Sequence, residues 1–81
     1  MLIRAICLNY SERPAHEKEK IQRLCISCGG AHSAALFEAM TSEKSIKCIA
    51  QKYYISDSLL YTLRVVFYES WDDNRKDNKN G

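Results

Sequence analysis

Two helical patterns in the second half of the chain are separated by only Tyr54 and Ile55, and this spacing constrains the fold more than any other feature. Ser45 stands before the first pattern, expected over Ile46 to Tyr53. Ser56 stands before the second, expected from Asp57 to about Trp71. A serine so placed is an N-cap: its hydroxyl accepts from a first-turn amide that lacks a helical partner, an effect of about 1 kcal/mol against alanine. With two residues between them, the helices are expected to cross sharply.

The same reading carries through the first half. Ile21, Leu24, Cys25 and Cys28 recur at helical spacing and predict a helix from about Ala15 to Cys28. Glu17 and Glu19 suit the positive end of its dipole. Pro14, after the turn Ser11-Glu12-Arg13, is expected as its first residue, and Gly29-Gly30 as its left-handed stop. Ala34, Ala35, Leu36, Phe37 and Met40 predict a third helix, roughly Ala31 to Met40, followed by a polar connection at Thr41–Lys44. Met1–Tyr10 is almost continuously apolar, so periodicity does not separate helix from strand there. A short helix is the expectation, because everything after it reads as helical. Asp72–Gly81 has no apolar residue and is expected to form a flexible polar tail.

Eighty-one residues leave room for a single core, and 46% hydrophobic with 27% charged residues is ordinary globular composition. The fold class is therefore all-α, a small bundle of four to five helices over residues 1–71, with residues 72–81 as the tail. No stretch approaches the roughly 20 apolar residues of a membrane span. Met1–Tyr10 lacks a cleavage pattern and runs into polar Ser11–Lys20, so a cytoplasmic location and no membrane partner are expected. A net charge of +2 permits a nucleic-acid partner without demanding one.

Ser45–Val66, SIKCIAQKYYISDSLLYTLRVV, resembles the helix-turn-helix of bacterial and phage DNA-binding proteins. Ala50 is the small residue where two steeply packed helices approach. Ile49, Tyr53, Ile55, Leu60 and Leu63 stand at the apolar positions that fill the angle, and a serine caps each helix. Tyr54 departs from the pattern, since the family usually has glycine there, at a backbone position of positive φ.

The resemblance implies a C-terminal helix-turn-helix at 45–67 whose second helix enters the major groove of double-stranded DNA. The reading face would be Ser56, Asp57, Ser58, Tyr61 and Thr62, with Arg64 nearby. Ser56 and Ser58 would bond phosphates or bases, and Tyr61 and Thr62 would add contact to a thymine methyl. Asp57 opposes the phosphate field, although a carboxylate can accept from a cytosine amine. Affinity would then come from Lys44, Lys47 and Lys52, supplemented by Arg75, Lys76 and Lys79. Such modules commonly bind paired half-sites, so a homodimer through Met1–Tyr10 and the end of the last helix is expected. Leu59, Val65 and Val66 supply apolar surface beyond what one packed face needs, while Phe67 and Trp71 are expected to bury against the first helices.

Other readings compete for the same residues. A non-enzymatic adaptor could grip another protein, such as transcription machinery, with the same helices. Cys25-Ile26-Ser27-Cys28 with His32 and either Cys48 or Cys7 would make a tetrahedral zinc set, but no second close pair accompanies it. Cys25 and Cys28 fit a buried stripe with Ile21 and Leu24 better, as free cysteine packs like a small hydrophobe. A redox role for the same pair lacks the βαβ context. His16 reads as exposed, His32 as decoration at a helix start, and Glu17–Lys20 as a solvated face. No nucleophile system stands out, so neither an enzyme nor a cofactor is expected.

Overall fold

Helix formation in this chain is decided by where the apolar side chains can meet. The structure, a computed structural model, describes residues 2–80, with side chains for residues 3–71. Five α-helices follow one another: α1 (Leu2–Leu8), α2 (Ala15–Gly29), α3 (Ser33–Thr41), α4 (Ile46–Lys52) and α5 (Asp57–Asn80). There is no strand among the described residues, so the fold is an all-α bundle. None of its helices is long and apolar enough to cross a membrane, among the described residues.

Helix α3 is the hub. Leu36 and Met40 point into one cluster with Cys7 of α1, Ile21 and Cys25 of α2, and Phe67 and Trp71 of α5. Ala35 and Ala39 join a second cluster with Ile46, Ile49 and Ala50 of α4 and Leu60 of α5. Small residues on that second side of α3 let α4 approach closely. Helix α5 spans both clusters, so the α4–α5 pair is fastened to the rest of the bundle through one continuous element. Phe67 is fully buried and Trp71 is 8% exposed, as their spacing predicts.

Boundaries shift where local chemistry overrides the pattern. Pro14 is the N-cap of α2, with an extended ψ of 158°, so Ala15 and not the proline opens the helix. Gly30 takes φ 55° and begins a 3-10 turn, Gly30–His32, which delays α3 to Ser33. A second 3-10 turn, Tyr10–Glu12, occupies most of the link before Pro14. Helix α4 stops at Lys52 with Tyr53 as its C-cap. The backbone of α5 runs on to Asn80, through the segment whose composition reads as a tail. The side chains of residues 72–81 lie outside the described residues, and so do the expected roles of Arg75, Lys76 and Lys79.

Helix α1 is settled by packing. Cys7 is fully buried, and Ile3 and Ile6 pack on the main cluster. The Arg4 guanidinium reaches across to the end of α3, donating to the carbonyls of Ala39, Met40 and Ser42. Cys7 is thus spent inside the fold and Ile3 and Ile6 partly so, while Leu8 stays 36% exposed.

Candidate nucleic-acid interface

Helix α4 ends in a backbone device that sets the direction of α5. Tyr54 adopts φ 58°, the only non-glycine residue with positive φ among the described residues. Its amide donates to the Gln51 carbonyl at 3.3 Å, and the Ile55 amide donates to the Ala50 carbonyl at 3.0 Å. This pair of bonds is a Schellman closure, in which a left-handed residue satisfies the last carbonyls of a helix. Tyr54 is 95% exposed, so its side chain meets no neighbour that would oppose the conformation. Half-buried Ile55 then packs on the α3–α4–α5 cluster, and half-buried Tyr53 does the same.

Both serines cap as their positions predict. Ser45 Oγ accepts from the Cys48 amide, and Ser56 Oγ accepts from the Leu59 amide, each at 3.1 Å. Asp57 occupies the first turn of α5 and accepts from the Ser58 amide at 3.1 Å. A carboxylate there faces the positive end of the helix dipole. Asp57 thus has a local structural use quite apart from any ligand.

Among the residues expected to read bases, Ser56, Asp57, Ser58, Tyr61 and Thr62 are all exposed, and Arg64 is half-buried. Ser58, Tyr61 and Thr62 stand at i, i+3 and i+4 and share one side of α5. Thr62 Oγ1 donates to the Ser58 carbonyl, and the Arg64 guanidinium lies 5.2 Å from the Tyr61 ring centroid. Leu60, fully buried, anchors the opposite side of the same turns. Where α4 meets α5, a surface groove of about 170 Å³ is lined by Lys47, Ala50, Gln51, Ile55, Ser56 and Asp57. Lys47 is exposed and makes no ion pair among the described residues.

The other two lysines differ. Lys52 Nζ sits 2.9 Å from Glu38 Oε1, and Lys44 Nζ sits 3.5 Å from Glu38 Oε2. Tyr53 Oη donates to the same Oε1 at 2.9 Å. The bonds from Lys52 and Tyr53 hold the Glu38 carboxyl below the usual carboxylate range, against the opposing effect of burial. The same contact with Glu38 pushes the Lys52 ammonium and the Tyr53 phenol up. Glu38 is missing from the sequence-level picture of the helix pair. The available signal was its isolation as the one carboxylate in the apolar run Ser33–Thr41, SAALFEAMT.

Cys7, Cys25 and Cys28 meet at the main cluster, and Cys48 lies on α4. Among the described residues no group of three or more histidine, cysteine or acidic side chains is placed to hold a metal. Cys7 and Cys25 are buried in the main cluster, while Cys48 is exposed on α4. Half-buried Cys28 donates to Ser70 Oγ at 3.4 Å. Burial pushes the Cys25 thiol up to about 12 and the Cys7 thiol up to about 11. A thiol so buried serves as a small packing group.

Comparison of the chain with known protein families, with curated proteins and with solved structures finds no match.

Proposed function

We propose that this chain is a sequence-specific DNA-binding protein, a small transcriptional regulator that lays the first turns of α5 in the major groove. The observation that carries the proposal is the display of Ser58, Tyr61 and Thr62 on the free side of α5, above the fully buried Leu60. Hydroxyl and aromatic groups at that spacing reach base edges, thymine methyls and phosphates in a groove that admits one helix. Lys47, exposed beside the helix start, supplies a phosphate contact. No cofactor enters this reading.

A second copy would bind through α1 and α5, since Leu8, Val65 and Val66 remain 36%, 53% and 37% exposed. Two copies would read two half-sites. Sedimentation at high micromolar concentration tests the pairing, and a monomer there removes it.

A protein-contact role gains from one observation, the engagement of Lys44 and Lys52 by Glu38, which offsets part of the positive charge around α4. The two readings part under salt. In an amide spectrum titrated with a mixed-sequence duplex, DNA binding shifts Ser56–Arg64 and Lys47 and weakens steeply as salt rises. Unmoved peaks in the folded protein would reject the DNA reading and favour the adaptor.

A further inference from the structure

We infer that Glu38 governs how strongly this chain binds duplex DNA, by holding Lys44 and Lys52 away from the phosphates. The inference rests on the DNA reading above and adds a regulating residue from outside the helix pair. Glu38 belongs to α3, whereas the groups it gathers come from the α3–α4 connection and from the end of α4. Its side chain is only 17% exposed, while those of Lys44 and Lys52 are 61% and 56% exposed. The carboxylate is therefore the fixed partner and the lysines are the movable ones.

Its two oxygens are used unequally. Oε1 accepts from both Lys52 and Tyr53, at 2.9 Å each. Oε2 is buried with no hydrogen bond, and the Lys44 ammonium at 3.5 Å is the cation facing it. Lys44, 61% exposed, is drawn towards that oxygen without being locked there, while Lys52 and Tyr53 compensate the carboxylate from its other side. The cluster thus offers a duplex one net positive charge where two lysines would offer two. Lys47, on the same short helix, keeps its whole charge available. Counterion release scales with the number of phosphates neutralised, so Glu38 flattens the salt dependence of binding as well as weakening it.

Duplex affinity measured across a salt series tests this, with Glu38→Gln as the main variant. Freeing one phosphate contact should steepen the slope of log K against log salt by about 0.9 and tighten low-salt binding several-fold. Glu43→Gln is the control: Glu43 is exposed, makes no ion pair among the described residues, and carries the same charge. Its effect should be clearly smaller. The gain from Glu38→Gln should also vanish when Lys44 and Lys52 are both glutamine.

An unchanged slope, a gain equal to that of Glu43→Gln, or a gain surviving loss of both lysines overturns the inference while leaving DNA binding intact. If neither the wild type nor Glu38→Gln binds a duplex at low salt, the DNA reading itself fails and takes the inference with it. Should Glu38→Gln not fold, single lysine variants decide. Lys47→Gln should lose the full increment and Lys52→Gln much less, and equal losses overturn the inference.

Discussion

Arg4 donates to the Met40 carbonyl at 3.1 Å, tying the first helix to the end of the third. The same guanidinium serves Ala39 and Ser42, so one side chain satisfies carbonyls that α3 leaves open at its C-terminus. A positive charge there also meets the negative end of the helix dipole. Arg4→Ala should destabilise the fold by about 2–3 kcal/mol, the scale of several hydrogen bonds from one charged donor. Arg4→Lys should recover only part of that, since an ammonium lacks the planar fork. Urea unfolding of the three proteins measures it, and a loss under about 0.5 kcal/mol for the alanine variant would refute the capping role.

Tyr54 holds a left-handed conformation that costs a non-glycine residue roughly 1–2 kcal/mol. Its ring is almost wholly in solvent, so removing it sacrifices no packing. Tyr54→Gly should therefore stabilise the protein by about 0.5–1 kcal/mol, once glycine's greater freedom in the unfolded chain is subtracted. Tyr54→Ala keeps the backbone strain and should match the wild type within about 0.5 kcal/mol. Thermal unfolding separates the cases. If glycine gives no gain over alanine, the turn is not strained.

Much of this architecture is readable from residue spacing, and the failures have physical reasons. The stripe Ile21, Leu24, Cys25 and Cys28 gives α2, and the serines at 45 and 56 give the starts of α4 and α5, because caps and helical period are local properties. Met1–Tyr10 was ambiguous because a nearly continuous apolar run lacks period; tertiary contacts of Ile3, Ile6 and Cys7 decide it. The opening of α3 is displaced by two residues since Gly30 takes positive φ and leads into a 3-10 turn, a choice no stripe records. Exposure of Ser56, Asp57, Ser58, Tyr61 and Thr62 follows from the opposite position of Leu60 and was legible. The pairing of Lys44 and Lys52 with Glu38 was not, because it bridges residues 14 apart in one case and depends on how α3 lies against α4.

The buried thiols predict an alkaline limit to stability. Cys7 and Cys25 ionise at about 11 and about 12 in the fold, raised by burial from an ordinary value near 9.0. Above pH 9 the unfolded chain loses these protons while the folded chain keeps them, so the unfolded state gains. Stability is thus complete below about pH 9 and falls as pH rises towards the folded values, at about 1.4 kcal/mol per pH unit for each thiol. Tyr53 and Lys52, also raised, act in the same direction. Urea midpoints at about pH 8 and about pH 10 should show a shallower fall in Cys7→Ala than in the wild type, whatever its starting stability. In the native protein at neutral pH, exposed Cys48 should alkylate first and Cys7 and Cys25 only on unfolding. Prompt labelling of all four would contradict the burial.

Asp57 invites a prediction in which fold and binding move oppositely. As the first-turn acid of α5 it accepts from the Ser58 amide and faces the helix dipole, so Asp57→Asn should cost about 0.3–1 kcal/mol of stability. As an exposed charge beside the proposed reading face it repels phosphates, so the same substitution should tighten duplex binding on every sequence tested. Discrimination is a separate quantity. If the carboxylate accepts from a cytosine amine, the asparagine variant should also lose preference for sites with cytosine at the matching position, by about 1–3 kcal/mol. Competition between a preferred duplex and single-base variants, run beside thermal unfolding, reads all three effects. Uniform tightening with unchanged preference would make Asp57 a residue of the helix start alone, and leave base reading to Ser58, Tyr61 and Thr62. Unchanged affinity on all duplexes would place the bound DNA away from this end of α5 and remove the proposed docking.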